Sequence, residues 1–199
     1  MGAIVSLEQL EAIVAAERAR GRRIVLTNGC FDLLHVGHVR LLRRCRELGD
    51  VVIVGVNDDG SVRQLKGPQR PIVPAAERAE VLAALAAVDY VAIFPETTAE
   101  RLAAIVRPDV YAKGADYRAG DESGAIDERR LPEASVVRAA GGRIELVPLA
   151  PHCSTTALVE RIRTASFSME PPHPPHAHLG SVRLRRHRGG EGGSEAQHQ

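Results

Sequence analysis

The sequence predicts an α/β protein of the Rossmann-like type, with a mostly parallel five-stranded sheet and helices on both faces in a single domain. Short runs of apolar and β-branched residues alternate along the chain with segments in which apolar residues recur at helical spacing. This alternation is typical of strand–helix–strand units, whose right-handed crossovers place helices on both sides of a parallel sheet. The run 51–56 contains only valine, isoleucine and one glycine, as expected for a strand that is buried on both faces.

The secondary structure can be assigned in order from the amino terminus. Ser6 and Gln9 form a capping box that starts a first helix, and Gly21 ends that helix. The basic, proline-marked stretch 61–74 is interpreted as a functional loop, because connections of this length are seldom idle. Strands are expected at 23–26, 51–56, 90–94, 110–112 and 143–147. Further helices are expected at 39–48, 75–87, 98–107 and 132–140, and from 154 onwards.

The chain divides into three predicted regions. Residues 1–21 form an N-terminal helix that packs on the domain, 22–164 form the domain itself, and 165–199 form a tail. The tail is rich in proline, histidine, arginine and glycine and has no periodic apolar pattern, so disorder is expected there. The polar, glycine-containing stretch 118–131 predicts a mobile loop or lid.

Composition argues against several classes of protein. The formal net charge is only +1, whereas a general nucleic-acid-binding protein carries a basic face. No apolar run reaches the roughly 20 residues of a membrane span, and residues 1–5 lack the features of a signal peptide. The three cysteines are widely spaced and form no C-x-x-C pattern, which favours a reducing compartment. We therefore expect a cytoplasmic protein that binds neither nucleic acid nor membrane.

The stretch 27–38 joins the first predicted strand to a helix through a glycine-bearing turn. This geometry exposes backbone N–H groups at the positive end of the helix dipole, which is a ready site for an anion. His35 and His38 lie on neighbouring faces of the helix start, and Gly37 lets a phosphate approach the backbone between them. Packing alone does not readily explain this pair. We predict that the two rings bind phosphate at this helix start.

Other polar residues also come directly after predicted strands. Ligands of open parallel sheets bind beyond the carboxyl ends of the strands, so Asn57, Lys113 and Ser154 should share one rim with the glycine turn. The three hydroxyls of 154–156 could donate to a phosphate, and the alternative is an ordinary Ser154 N-cap. The apolar residues of the last helix are expected to face inward: Leu158, Val159 and Ile162.

Three charged residues have ordinary structural interpretations. Asp32 can cap backbone N–H groups of a turn. Lys66, in the basic loop, can be solvated. Arg78 lies at the start of a helix whose N-terminus faces the same rim, and it can form a salt bridge at the surface.

The order G-x-F-D-x-x-H-x-G-H, from Gly29 to His38, resembles the signature of the nucleotidyltransferase superfamily. The longer string T-N-G-C-F-D-x-L-H-x-G-H is similar to one branch, the adenylyltransferases that convert D-glycero-β-D-manno-heptose 1-phosphate to ADP-heptose. The K-G-x-D-Y segment at 113–117 and the hydroxyl run at 154–156 also resemble that branch. The resemblance covers residues 22–163. It implies that AMP is transferred from ATP to the sugar phosphate by direct in-line attack, with release of pyrophosphate.

The resemblance also implies roles for individual residues. Catalytic roles fall on His35 and His38, whose rings would stabilise the charge that develops during nucleotidyl transfer, and on Lys66, which would meet a phosphate. Nucleotide binding is expected of Asn28, Gly29, Cys30, Phe31, Gly37, Lys113, Gly114, Ser154, Thr155 and Thr156. Acceptor binding is expected of Asp32, Asn57, Arg78, Asp116, Tyr117 and Arg161. Mg²⁺ is expected to bind mainly through the phosphates, with Asp32 as the candidate carboxylate.

Two other functions stay open at this point. The first is a cytidylyltransferase for glycerol 3-phosphate or another small phosphate ester, because the motif does not display which base is chosen. The second is a non-catalytic nucleotide-binding protein. In either enzymatic case a homodimer is expected by family habit. For the heptose reaction, a separate kinase is expected to supply the sugar phosphate.

Overall fold

The computed structural model describes residues 1–115, 126–127, 129–148 and 154–165. In these residues, parallel strands form one six-stranded sheet. The strands are β1 (Ala3–Val5), β2 (Ile24–Gly29), β3 (Val51–Asn57), β4 (Tyr90–Phe94), β5 (Val110–Gly114) and β6 (Arg143–Val147). The helices are α1 (Leu7–Ala19), α2 (Val36–Leu48), α3 (Asp59–Lys66), α4 (Ala75–Ala83), α5 (Glu100–Val106), α6 (Glu133–Ala139) and α7 (Thr155–Thr164).

The strand order is β1-β4-β3-β2-β5-β6, and every neighbouring pair is parallel. The chain winds from β2 through β3 to β4 in one direction and then returns to place β5 on the other side of β2. The order of the strands therefore reverses between β2 and β5. In open α/β sheets, the crevice at such a reversal is where ligands bind. The predicted α/β fold with helices on both faces is confirmed.

The structure corrects the predicted number of strands from five to six, because β1 was missed. Its three residues pair with β4, with Ala3 opposite Tyr90 and Val5 opposite Ala92. A strand this short carries no readable periodicity, and the partner that stabilises it lies far along the chain. A second correction is α3, which occupies part of the predicted loop 61–74. Asp58 caps this helix by accepting a hydrogen bond from the Ser61 N–H at 2.6 Å.

Two apolar cores cover the two faces of the sheet. On one face, α2 and α4 pack on the alternate residues of the strands that include Val25, Val54 and Ala112. On the other face, α1, α5 and α6 pack on the set that includes Leu26 and Tyr111. The residues of β2 and β5 therefore alternate between two packed layers, which fixes the face on which each polar residue at a strand end lies.

Aspartates close the amino-terminal edge of the sheet. The Asp109 carboxylate accepts a hydrogen bond from the Ile24 N–H at 2.7 Å, and the Asp89 carboxylate accepts one from the Val52 N–H at 2.7 Å. Asp50 binds the Arg23 N–H in the same way at 2.8 Å. Backbone groups at this edge are thus satisfied by side chains. The chemistry predicted from sequence lies at the opposite edge.

Contacts along the chain define one compact unit over Met1–Thr164. Among the described residues, no helix is long and apolar enough to cross a membrane. The predicted disordered tail, from 166 onwards, and most of the predicted lid at 118–131 lie outside the described residues. The same holds for the candidate acceptor-binding residues Asp116 and Tyr117.

Candidate active site

The glycine-bearing turn after β2 has the geometry predicted for it. Phe31 adopts a positive φ of 48°, which reverses the chain direction after the strand. His35 is the N-cap of α2, and its carbonyl accepts hydrogen bonds from the N–H groups of His38 at 3.0 Å and Val39 at 3.3 Å. Gly37 is buried in the first turn of the helix. The signature thus ends at a helix N-terminus beside the reversal of strand order, as an anion site requires.

The two signature histidines form a stacked pair. Their ring centroids are 3.8 Å apart with an interplanar angle of 22°, and the Phe31 ring meets the His38 ring edge-on at 5.0 Å. Burial, with a smaller effect of the neighbouring His35, lowers the pKa of His38 to about 4, and burial also lowers the pKa of His35. Both rings are therefore uncharged at neutral pH, when each carries one N–H donor.

Each ring of this pair also has a buried polar atom without a partner. The Nδ1 atoms of His35 and His38 are buried and have no hydrogen-bond partner among the described residues. Buried polar atoms are rarely left unpaired unless a functional role compensates for the cost. The histidine pair is therefore the strongest indication of a site in the described part of the chain.

Asp32 anchors a loop, and both of its carboxylate oxygens accept hydrogen bonds from protein groups. Its Oδ1 atom accepts hydrogen bonds from the N–H groups of Ile72 at 2.7 Å and Val73 at 3.1 Å. Its Oδ2 atom pairs with Arg70 Nη1 at 2.6 Å. The structure thus supports the interpretation that Asp32 binds backbone N–H groups. These groups belong to a distant loop and not to the turn that contains Asp32. The acceptor-binding and metal-binding roles expected for Asp32 find no support in this geometry.

Arg78 is buried and likewise occupied by protein groups. Its guanidinium donates to the carbonyls of Val73 at 2.8 Å and Asn57 at 2.9 Å, to the Cys30 carbonyl, and to Asp59 Oδ1 at 2.8 Å. The side chain is only 1% exposed. The surface salt bridge and the substrate contact that we expected for Arg78 are both replaced by an internal role. Arg78 joins the ends of β2 and β3 to the loop before α4.

Positive charge converges on the turn after β2. Lys66 is the exposed last residue of α3, and Gly67, with a positive φ of 98°, ends the helix there. Burial raises the pKa of the Cys30 thiol, and the nearby charges of Lys66, Arg78 and Lys113 partly oppose that rise. The structure therefore brings Lys66 near the signature, as its predicted phosphate-binding role requires.

Lys113 lies deeper than a residue that meets a phosphate directly. It is buried, and its Nζ atom donates to the Asn28 carbonyl at 3.2 Å and to Asn28 Oδ1 at 3.1 Å. The hydroxyl of Tyr111 also contacts Asn28 Oδ1, and it lies 2.5 Å from Glu133 Oε1. The structure thus joins the predicted residues Asn28 and Lys113 to Tyr111 and Glu133, which the sequence analysis missed. A glutamate at a helix start carries no signal of such a contact.

The remaining candidates have less specific surroundings. Gly29 and Gly114 end β2 and β5, and Asn57 is buried at the end of β3, where its side chain donates to the Glu96 carbonyl at 3.0 Å. Glu96 was also missed by the sequence analysis. Its Oε2 atom is buried without a partner among the described residues, while Oε1 accepts from Arg101 at 2.9 Å.

The N-terminus of α7 reaches the signature. Thr155 Oγ1 lies 3.4 Å from the Leu33 carbonyl, and Ser154 Oγ accepts a hydrogen bond from the Ala157 N–H at 3.1 Å, as an ordinary N-cap does. Thr156 and Arg161 are exposed. The prediction that α7 buries its apolar face is wrong, because no residue of this helix is buried and Ile162 is 59% exposed.

The side chains near the signature are compatible with a metal ion that binds together with the phosphates of a substrate. Within the described residues, no group of three or more histidine, cysteine, aspartate or glutamate side chains could hold a metal ion. Asp32, the candidate carboxylate, is occupied by Arg70 and by two backbone N–H groups. Mg²⁺ commonly binds through substrate phosphates and water with few protein ligands, and these residues are compatible with that mode.

Comparison with known proteins places this geometry in a family. A family model described as cytidylyltransferase-like matches residues 26–161, from β2 into α7. The chain belongs to the cytidylyltransferase-like family. The superfamily predicted from the signature is thereby confirmed, and the protein carries a nucleotidyltransferase domain.

Several curated proteins are similar to this member of the cytidylyltransferase-like family. Bifunctional protein HldE of Geotalea uraniireducens is 50% identical over 164 residues, which cover 82% of this chain and 32% of that protein. The protein of the same name from Pseudomonas syringae is 49% identical over 160 residues, covering 80% of this chain and 32% of its own length. The chain therefore spans about a third of the length of these curated relatives.

Solved structures share the fold. The lipopolysaccharide core biosynthesis protein of Thermoplasma volcanium is 27% identical, with a TM-score of 0.50 over 65% of this chain and 98% of that chain. The pantoate-beta-alanine ligase of Francisella tularensis is 16% identical, with a TM-score of 0.54 over 84% of this chain and 82% of that chain. The second likeness is one of fold alone.

Proposed function

We propose that this protein is an adenylyltransferase that transfers AMP from ATP to D-glycero-β-D-manno-heptose 1-phosphate, giving ADP-heptose and pyrophosphate. The observation that carries the proposal is the stacked, uncharged pair of His35 and His38 at the N-terminus of α2. The similarity to HldE proteins, and to a protein named for lipopolysaccharide core biosynthesis, supports a sugar phosphate as the acceptor.

The chemistry follows from the arrangement of donors. An oxygen of the sugar phosphate attacks the α-phosphorus of ATP in line with the departing pyrophosphate, which places additional negative charge on the α-phosphate oxygens. Two neutral imidazoles can donate N–H groups to those oxygens without becoming nucleophiles, and the dipole of α2 favours the same charge. No covalent intermediate with the protein is required.

The remaining roles are proposed from position. Lys66, exposed beside the turn, would meet the phosphates of the nucleotide, and Thr155 and Thr156 would face them from the start of α7. Mg²⁺ would supply charge neutralisation while bound to phosphate oxygens and water. Asp32 and Arg78 hold the turn, the loop and the strand ends in place and do not contact substrate.

The nearest alternative is a cytidylyltransferase that acts on glycerol 3-phosphate or another small phosphate ester. The description of the matching family as cytidylyltransferase-like favours it. The homodimer and the separate kinase stay predictions. Because the HldE relatives are named bifunctional, a kinase activity in a longer chain is as compatible with this reaction as a separate kinase is.

The deciding experiment measures pyrophosphate release from the purified protein with Mg²⁺. ATP and CTP are each combined with heptose 1-phosphate, glycerol 3-phosphate and other sugar 1-phosphates, with the variant His38→Ala as the control for contaminating activity. Release that requires both ATP and the heptose phosphate is the expected result. Release with CTP and glycerol 3-phosphate would establish the alternative. Nucleotide binding without release from any pair would instead indicate a non-catalytic binding protein.

A further inference from the structure

A buried polar group lies at the carboxyl ends of β2 and β5, on the sheet face that α6 covers. It consists of Asn28, Tyr111, Lys113 and Glu133. The Lys113 and Glu133 side chains are 7% and 5% exposed, and Nζ lies 4.0 Å from Oε1. The Tyr111 hydroxyl joins Glu133 to Asn28, and the Lys113 ammonium donates to both oxygens of Asn28.

The charges within this group depend on each other. A buried ammonium or carboxylate is strongly destabilising without a partner of opposite charge, because the protein interior replaces its hydration poorly. Glu133 is the carboxylate that faces Lys113 in the described structure. Removing the Glu133 carboxylate would leave the Lys113 ammonium without that charge and the Tyr111 hydroxyl without that acceptor. Both side chains would then lose a contact that helps to hold them against Asn28.

The position of Asn28 gives this group a functional consequence. Asn28 and Gly29 end β2 and lead directly into the signature turn, beside the reversal of strand order between β2 and β5. Lys113 binds the Asn28 carbonyl as well as its side chain, so the network fixes the backbone where the turn begins. His35 and His38 follow on the opposite face of the sheet, where α2 packs.

We propose that Glu133 is a positioning residue for nucleotide binding, which acts through Tyr111 and Lys113 to hold Asn28 at the start of the signature turn. This inference rests on the proposed function, because it assigns the turn to the binding of a nucleotide. Glu133 itself does not touch substrate. Its effect should therefore appear as lost affinity and a looser turn, while the chemical step stays nearly intact.

Glu17 provides a matched control for the effect of removing a buried carboxylate. Glu17 and Glu133 are each 4% exposed, and both belong to helices that pack on the same face of the sheet. Glu17 pairs with Arg20 and Arg22 within its own part of the chain and, in the described structure, forms no hydrogen bond or ion pair with the signature. A loss that merely reflects lower stability should therefore appear in Glu17→Ala and Glu133→Ala alike.

The experiment compares these two variants with the unmodified protein at a temperature where all three are folded. The dissociation constant of ATP with Mg²⁺ is measured by calorimetry, and hydrogen exchange is followed in the amides of residues 28–38. Glu133→Ala should weaken nucleotide binding about 10-fold and accelerate exchange in the turn, the scale expected of an indirect coupling. Turnover at saturating ATP should change less than about 3-fold, because both histidines are retained. Glu17→Ala should leave affinity and exchange in the turn unchanged.

Two further variants test the route of the effect. Glu133→Gln keeps an acceptor for Tyr111 but removes the charge, so its loss of affinity should be smaller than that of Glu133→Ala. The double variant Tyr111→Phe with Glu133→Ala should bind nucleotide about as weakly as Glu133→Ala alone, because both changes break one chain of contacts. If Glu133→Ala does not fold, Glu133→Gln carries the test.

Unchanged affinity in the folded Glu133 variants would overturn the positioning role, and so would an equal loss in Glu17→Ala. Additive losses in the double variant would also contradict it. A failure of the proposed function looks different, because it appears in the unmodified protein itself, as absent ATP binding or absent pyrophosphate release, before any Glu133 variant is compared.

Discussion

His38 combines three properties that are seldom found together in one histidine. It lies in the first turn of α2, its ring stacks on His35, and its Nδ1 atom is buried without a partner in the described structure. A ring held only for packing would not need this arrangement. The residue therefore provides the most direct test of the proposed chemistry.

We expect His38→Ala to reduce turnover by roughly 10²–10³-fold while the fold survives, the scale seen when one preorganised donor is removed. The reduction should appear in steady-state pyrophosphate release, with circular dichroism confirming that the variant is folded. Val39→Ala is the matched control, because Val39 is the next residue of α2 and is 38% exposed. That control should retain turnover within about 2-fold, and near-normal turnover in His38→Ala would remove the role given to His38.

The lowered pKa of His38 predicts a loss of stability in mild acid. Burial lowers this pKa from 6.5 to about 4 in the folded protein. Between these values the unfolded chain binds a proton that the folded protein does not, so stability falls as the pH falls. From pH 7 to pH 5, His38 should account for roughly 2 kcal/mol of lost stability by proton linkage.

The measurement is urea unfolding at both pH values for the unmodified protein and for His38→Gln. Glutamine does not titrate, so the variant should lose about 2 kcal/mol less stability than the unmodified protein over this interval. His35, whose pKa is also lowered, acts in the same direction and stays in both proteins. An equal loss in the two proteins would mean that His38 is not buried in its neutral form.

At this site, the sequence predicted the positions of some residues but not the contacts of others. The signature located the histidines, because their spacing and their helix start are local properties of the chain. Most partners of Asp32 and Arg78 are not local: they are backbone groups and side chains that come close only when the chain folds. Both charged residues therefore looked like candidates for ligand contact, whereas the structure uses them to join segments.

Among the elements, the loop that follows α3 depends on one carboxylate. Asp32 binds Arg70 and the N–H groups of Ile72 and Val73, which ties this loop to the signature turn. Lys66 stands at the start of the same loop, as the last residue of α3. The position of this lysine is thus linked to the residue next to Phe31.

Asp32→Ala should release the loop and lower the free energy of unfolding by about 2–3 kcal/mol, since hydrogen bonds to a charged group are lost. Trypsin should then cut the Lys66–Gly67 bond faster than it does in the unmodified protein, which mass spectrometry of the fragments can follow. Glu47→Ala removes a surface pair with Arg44 at a side chain that is 63% exposed, so this control should leave both quantities nearly unchanged. Equal cleavage rates in Asp32→Ala and the unmodified protein would contradict the anchoring.

The predictability of an element depended on its length and on the origin of its stability. The apolar run of β3 and the capping box of α1 are visible in the sequence, and the structure has both. Strand β1 could not be recognised, because its three residues are ordered by pairing with β4. Helix α3 was hidden because only Ser61 and Val62 of its residues are buried, so it presents almost no apolar stripe.

For the whole molecule, the sheet, both apolar cores and the described site residues lie within Met1–Thr164. We therefore expect a chain that ends at Thr164 to keep the fold and the nucleotidyl transfer. Its melting temperature should lie within about 2 °C of that of the 199-residue chain, with similar kcat/KM for ATP. Scanning calorimetry and pyrophosphate release measure the two quantities. A large loss of either would show that residues beyond 164 contribute to the domain.

The overall architecture was predictable because a regular alternation of strands and helices restricts the topology to few choices. The number of strands and the depth of Lys113 were not, because both depend on contacts between distant segments. A general rule of such sheets places the candidate site at the carboxyl ends of the strands, and the histidine pair follows β2 at that edge in the structure. The side chains that hold protein segments together there could be recognised only in the three-dimensional structure.

The contacts of Arg78 predict how enzymatic activity is lost when the protein unfolds. The guanidinium of Arg78 donates to carbonyls at the ends of two strands and in a third segment. The residues of the site therefore reach their native positions only when all three segments are folded together. A partly assembled molecule would then have no partial active site. Activity and folded structure should be lost in the same transition during heating or denaturation. Turnover would then be proportional to the fraction of folded molecules.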